Sequence, residues 1–117
     1  MYKIVNGTDI MLTRGDTFEC DLMIYDNGEP YVPATNDVIK FYMKHASMNL
    51  PRTAYTDQEP LIEKTIDNST LKLHLDPIDT KDLDFGGYVY DIEITFEDGY
   101  VDTVINNAGL AILPEVG

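Results

Sequence analysis

Leu83-Asp84-Phe85-Gly86-Gly87-Tyr88-Val89-Tyr90 carries the pattern L-D-x-G-x-Y-x-Y, and the fold is decided there. The paired glycines open an alternating run in which Tyr88, Tyr90, Ile92, Ile94 and Phe96 share one face. Successive side chains point to opposite sides of a strand, so one apolar face over this length marks a half-buried β-strand. Glu97-Asp98-Gly99 supplies a tight turn, and the chain returns through Tyr100 to Asn106. The same period of two extends upstream. Thr17 to Tyr25 sets Phe18, Cys20, Leu22 and Ile24 against Glu19, Asp21 and Met23, and Asp26-Asn27-Gly28 closes it with residues that tolerate positive φ. Asp37 to Lys44 places Ile39, Phe41 and Met43 inward and Lys40, Tyr42 and Lys44 outward. Thr8 to Leu12, Leu61 to Ile66, Thr70 to Leu75 and Leu110 to Leu113 complete the strand-like runs.

No stretch has a convincing helical period. Asp76 to Leu83 has N-cap residues and a leucine to bury, which predicts a single helical turn. Pro30 and Pro33 make Tyr31 to Asn36 a loop or an edge segment. His45 to Pro60 shows no periodicity and contains Pro51 and Pro60; loops of that length are uncommon and usually functional. Seven to nine antiparallel strands at regular spacing, with one short helical turn, predict an all-β sandwich forming a single domain over residues 1–117. The D-x-G-x-Y order resembles the turn that feeds the penultimate strand of immunoglobulin-like sandwiches. There the tyrosine hydroxyl bonds back to the turn backbone and the glycine adopts a conformation closed to other residues. Asp84, Gly86 and Tyr88 are therefore the expected fold-determining turn, and Tyr90 stands where the inter-sheet cysteine would be.

The 117 residues include 21 Asp and Glu against 8 Lys and Arg, a formal charge of −13. Phosphate backbones and anionic lipid heads are repelled by such a surface, so neither nucleic acid nor a membrane is an expected partner. Cys20 has no second cysteine to pair with and shares a face with Phe18, Leu22 and Ile24, which marks it as a small buried hydrophobe. No signal peptide opens the chain and no run is long enough to span a bilayer, so a cytoplasmic site of synthesis is expected. The sequons at Asn6 and Asn68 then read as chance matches.

Candidate chemistry is sparse. Asp76, Asp79, Asp82 and Asp84 crowd together, but they lack the ligand rhythm of a calcium loop and read as caps and a solvated rim. Ser47, Ser69, His45 and His74 sit in no nucleophile or metal motif, and His74 alternates outward beside Lys72. No catalytic residue, cofactor or metal is assigned, and the chain is not expected to be an enzyme. Arg14-Gly15-Asp16 falls at a turn, where glycine and aspartate are wanted for geometry. Tyr25, Tyr31, Tyr42 and Tyr55 fall at outward or loop positions, and exposed tyrosines are favoured interface anchors.

A longer pattern joins these pieces. It runs Arg14-Gly15-Asp16-Thr17-Phe18, Asp26-x-Gly28-x-Pro30-Tyr31, Asp37-Val38-Ile39-Lys40-Phe41, Glu63-Lys64, Leu75-Asp76-Pro77-x-Asp79-Thr80, then Gly86-x-Tyr88-x-Tyr90-Asp91-Ile92 and Thr103-Val104-Ile105. From about Thr8 to Glu115 this resembles the small immunoglobulin-like sandwich proteins of tailed phages and prophages, including the N-terminal domain of baseplate upper proteins. The resemblance implies a virion structural protein of the tail, baseplate or capsid, assembled in the bacterial cytoplasm. It would dock onto other phage structural proteins and form a homo-oligomer or ring in the particle. A glycan- or receptor-binding module displayed on the particle is the alternative. The contact residues expected on either reading are Leu50, Arg52 and Tyr55 in the 45–60 loop, with Tyr31 and Tyr42. Strands at Tyr2 to Val5 and Leu110 to Leu113 are expected to add to a neighbour's sheet edge. Glu19, Asp21, Asp26, Asp76, Asp79, Asp91, Glu93 and Asp98 are expected to form a solvated acidic coat.

Overall fold

Alternating apolar positions pair across strands until two layers of sheet face each other. The computed structural model describes residues 2–4, 9–45 and 60–115. Among them are ten strands: β1 (Tyr2–Ile4), β2 (Ile10–Thr13), β3 (Phe18–Asp21), β4 (Ile24–Asp26), β5 (Glu29–Pro30), β6 (Val38–His45), β7 (Ile62–Ile66), β8 (Lys72–Leu75), β9 (Gly86–Thr95) and β10 (Val101–Leu113). A four-residue helix, α1 (Pro77–Thr80), is the only helix among the described residues, and it cannot cross a membrane. The protein is therefore mostly β, with its sheets packed on one another.

The main layer is a five-stranded sheet in the order β2-β10-β9-β6-β7. Opposite it stand the β3-β8 pair and the small β1-β4-β5 sheet. Register aligns Ile39 with Ile94 and Ile66, Phe41 with Ile92, and Met43 with Tyr90 and Ile62, which concentrates apolar side chains on one face. Leu22, Ile24, Leu73 and Leu75 meet them from the other layer, and all twelve belong to one buried cluster. Phe41 and Tyr90 stack at its centre, with ring centroids 5.4 Å apart.

The strand count exceeds the expected seven to nine, for two local reasons. The Thr17–Tyr25 run divides because β3 pairs with β8 while β4 pairs with β1 and β5. At the division the Leu22 N–H donates at 2.8 Å to the carbonyl of Leu71, a non-glycine residue held at φ 54°. The chain ends add β1, whereas the two runs expected over 100–113 form one strand. Two register shifts in β10 absorb the Asn- and Gly-bearing stretch that the sequence marks as a break. Pairing is not wholly antiparallel either. Ile10–Thr13 runs parallel to Leu110–Leu113.

The terminal strands are used within the chain. Leu110–Leu113 is flanked on both sides, by β2 and β9, so it has no open edge to offer a neighbour. β1 pairs with β4 at the edge of its sheet. The edge strand β7 places Lys64 opposite Phe41, on the core side, and Lys64 Nζ reaches Asp79 of α1 at 2.9 Å. An inward charge of this kind keeps an edge from pairing with a stranger.

Candidate functional site

Three polar centres and one cleft organise the surface. The first lies at the pole where β2 ends and β9 begins. Gly15 turns the chain at φ 79°, and its N–H donates to the buried Thr80 hydroxyl at 2.9 Å. Arg14 is fully engaged there. Its guanidinium donates to both carboxylate oxygens of Glu115, at 3.3 and 2.9 Å, and to the Leu83 carbonyl at 3.3 Å, while stacking 4.1 Å over the Phe85 ring. The Glu115 hydrogen bond raises the Arg14 pKa and lowers that of Glu115. Beside this clamp, Tyr88 Oη donates to the Asp84 carbonyl at 2.7 Å and Gly86 holds φ 129°. The Tyr88 phenol is raised chiefly by burial, then by the Asp84 charge.

A second centre is the Asp37 carboxylate, which is buried between the 31–36 loop and the end of β9. It accepts from the Ala34 N–H at 2.9 Å, the Glu97 N–H at 3.1 Å and the Tyr31 hydroxyl. Tyr31 also packs edge-on against Phe96, with centroids 6.0 Å apart. Asn68 tightens the same loop, its amide donating to the carbonyls of Ala34, Thr35 and Asp37 at 3.2, 2.9 and 2.9 Å.

The acids of the helical turn form the third centre. Asp79 accepts from the Asp76 N–H at 2.7 Å, closing the helix start, and also holds Lys64. Asp76 meets Nε2 of His74 at 2.8 Å, while Glu19 meets Nδ1 at 2.8 Å from the paired strand. The Glu19 and Asp76 bonds raise the His74 pKa, and the His74 bond lowers that of Glu19. Asp82 and Asp84 do not join Asp76 and Asp79 around a common point. Among the described residues no three His, Cys, Asp or Glu side chains converge as metal ligands.

The outer face of the five-stranded sheet corrects the picture of a uniform acidic coat. Lys44 and Asp91, both placed outward by alternation, are buried and joined at 3.0 Å. Alternation assigns a face, but it does not say whether that face is wet. Beside this pair lies a cleft of about 290 Å³ lined by Tyr42, Lys44, Pro60, Glu63, Asp91, Glu93 and Thr103. Tyr42 is half-buried there, and its phenol is raised first by burial and then by Glu93 and Glu63. A more apolar cavity of about 270 Å³ opens between β2 and β3, with Ile10, Phe18, Cys20, Leu22 and Tyr90 on its walls. Burial raises the Cys20 thiol and pushes Tyr90 up to about 12, so neither is an ionised nucleophile at neutral pH.

Of the expected contact residues, Tyr42 lines the outer cleft, whereas Tyr31 packs against the core cluster on the other side of the sheet. They do not share a face. Leu50, Arg52 and Tyr55 lie outside the described residues. Asp37, Lys44 and Asp91 are the polar residues that sequence reasoning missed as structural centres. For Asp91 the signal available was a charge between the apolar strand positions Tyr90 and Ile92, which alternation alone does not distinguish from a solvated one.

No family model matches the chain. No curated protein matches it either. Among solved structures it is similar to CopC from Methylosinus trichosporium OB3b, at 12% identity and a TM-score of 0.50, over 100% of this chain and 98% of that one. This likeness is one of fold alone. The SrpA adhesin from Streptococcus sanguinis aligns at 17% identity over 97% of this chain and 55% of that one, with a TM-score of 0.42. Neither is a phage protein.

Proposed function

We propose that the chain is a non-enzymatic structural protein of a tailed-phage particle, an immunoglobulin-like sandwich that acts by docking onto other tail, baseplate or capsid components. One observation carries this reading. The three most specific pieces of the phage-protein resemblance, the Gly-Asp-Thr turn, the Asp-Pro-x-Asp-Thr turn and the Gly-x-Tyr-x-Tyr-Asp strand, meet at one pole. Gly15 of the first bonds Thr80 of the second, and Arg14 beside the first bonds the Leu83 carbonyl just ahead of the third. Residues far apart in the chain are thus shared as a set because they build one joint. A shared joint supports a shared architecture. The bond from Tyr88 to the Asp84 carbonyl, at the entry to the penultimate strand, supports the immunoglobulin-like form of the sandwich.

A docking role also fits what the polar residues are occupied with. Arg14, Asp37, Asp79 and Asp91 are bound to partners within the fold, and such groups hold a shape instead of attacking a substrate. Mass spectrometry of purified virions, from a phage that carries the gene, tests the reading. The protein should be present in stoichiometric amount and should be visible as a small sandwich in the particle density. Its absence from virions would defeat the proposal.

A further inference from the structure

Asn27, Asn36 and Asn68 are held by the fold in three different ways. Asn68 is tied down. Its Nδ2 donates to the carbonyls of Ala34, Thr35 and Asp37, and the N–H that follows it, on Ser69, donates to Asp67 Oδ1 at 2.7 Å. Asn36 is anchored through the backbone. Its own N–H reaches Glu97 Oε2 at 3.1 Å, and the next N–H, on the buried Asp37, donates to the Ala34 carbonyl at 3.0 Å. Asn27 instead occupies the hairpin between β4 and β5. The ladder closes with Asp26 opposite Glu29, so Asn27 and Gly28 lie beyond it, both exposed, at φ 52° and 85°. Among the described residues no turn or loop carbonyl accepts from the Gly28 N–H, and a Cβ at Gly28 would meet nothing within 4 Å. β5 is two residues long and stands at the edge of its sheet, the kind of element that opens locally at small cost.

We propose that Asn27 is a site of spontaneous deamidation in the folded chain, and that the fold protects Asn36 and Asn68 from the same reaction. The backbone nitrogen after an asparagine becomes a nucleophile once it gives its proton to solvent. At Gly28 it attacks Cγ of Asn27, and the new C–N bond closes a five-membered succinimide. The Cγ–Nδ2 bond breaks, and Nδ2 leaves as ammonia after taking a proton from water. A second water opens the ring at either carbonyl, leaving an aspartyl residue or an isoaspartyl residue whose main chain runs through the former side-chain carbon. Nothing is oxidised or reduced. The step needs an uncommitted nitrogen, an approach that no side chain blocks, and a peptide that can turn toward Cγ. Gly28 meets the first two, and local opening of the short hairpin supplies the third. At Asn36 and Asn68 the attacking nitrogen is already a donor, at 3.0 and 2.7 Å, and at Asn68 three carbonyls also hold the leaving amide. Either product adds a negative charge to a chain of −13. The isoaspartyl form also adds a main-chain carbon to a hairpin whose loop length sets its register, so the Asp26–Glu29 and Tyr25–Pro30 pairs are lost. This inference is independent of the docking reading above.

The full chain, incubated in mildly alkaline buffer and read by peptide-resolved mass spectrometry, tests this, with fragmentation that separates aspartyl from isoaspartyl product. Asn27 should convert in the folded protein, and faster as pH rises, because the Gly28 nitrogen must lose its proton. A parallel incubation in guanidinium chloride gives the rate of each site without the fold, and so removes the advantage that a following glycine confers on any chain. The fold should slow Asn36 and Asn68 at least about tenfold more than it slows Asn27, since their committed donors must first be freed. Asn6 also precedes a glycine but lies outside the described residues, and cleavage at Arg14 places it in a different peptide from Asn27. Equal slowing of all three sites would overturn the proposal, because the hairpin would then be as closed as the tied loops. So would a folded chain in which Asn27 stays intact for as long as Asn68.

Discussion

Two ion-paired clusters of nearly equal geometry sit on this protein in opposite solvent environments. Lys44 meets Asp91 at 3.0 Å with side chains 9% and 13% exposed. His74 meets Glu19 and Asp76 at 2.8 Å each, with all three side chains about half exposed. Distance alone ranks the histidine cluster first. Solvent reverses the ranking, because water screens the exposed charges and would solvate them equally well apart. The buried pair has no such alternative. Removing either member takes a close opposite charge from the other at a position where desolvation is costly. The contrast teaches that the polar groups of this sandwich are to be weighed by burial before proximity.

Lys44→Met is the sharpest way to break that ranking. It takes the paired ammonium from the buried Asp91 carboxylate and should cost about 3 kcal/mol in urea unfolding, whereas Lys44→Met/Asp91→Leu should recover most of the loss. Equal losses in the single and double variants would mean that the pair is favourable in itself and not merely mutually dependent. Asp37→Ala comes next. It removes the charged acceptor shared by two backbone N–H groups and the Tyr31 hydroxyl, and a cost of about 2 kcal/mol is expected. Tyr88→Phe is smaller, at about 1 kcal/mol, because it deletes one neutral hydroxyl bond to the Asp84 carbonyl and keeps the ring in place. An unchanged unfolding midpoint in Tyr88→Phe would show that Gly86 and packing hold the turn without that bond.

The same contrast separates what could be read from the sequence from what could not. Period-two alternation reports which face of a strand a residue occupies, and it located the buried side of β6, β8 and β9 through Ile39, Phe41, Leu73, Tyr90 and Ile92. The turn at Asp84–Tyr88 was legible because glycine and tyrosine requirements there are local. Long-range partner choice was not. Nothing in Thr17–Tyr25 says that its two halves pair with different strands, and nothing near Leu110 says that its neighbour is the parallel β2. Burial of a face also depends on what lies over it, which is why Lys44 and Asp91 were expected in water. The cleft at Tyr42 escaped notice for the same reason. Its residues come from β6, β7, β9 and β10, and only the register assembles them.

The exposed cluster offers the smallest effect and the clearest dependence on pH. Glu19 and Asp76 raise the His74 pKa, so the folded state holds the imidazolium proton more tightly than the unfolded chain does. Stability from His74 is therefore fully present below the ordinary histidine value and is lost as pH rises through the raised folded value. Glu19 has the opposite sign. Its pKa is lowered by His74, so its share is present above the ordinary carboxylate value and fades as pH falls through the lowered folded value. Both groups are charged and mutually satisfied only between those limits, around pH 5.5 for ordinary Glu and His values. His74→Gln should thus shift the urea midpoint most near that pH and converge on wild type in alkaline solution. Added salt should shrink the difference, because every member of the cluster faces water. A His74→Gln deficit that persists unchanged into alkaline, high-salt solution would instead assign the cluster to packing across the β3–β8 pair, and the line drawn between buried and exposed charge would have to move.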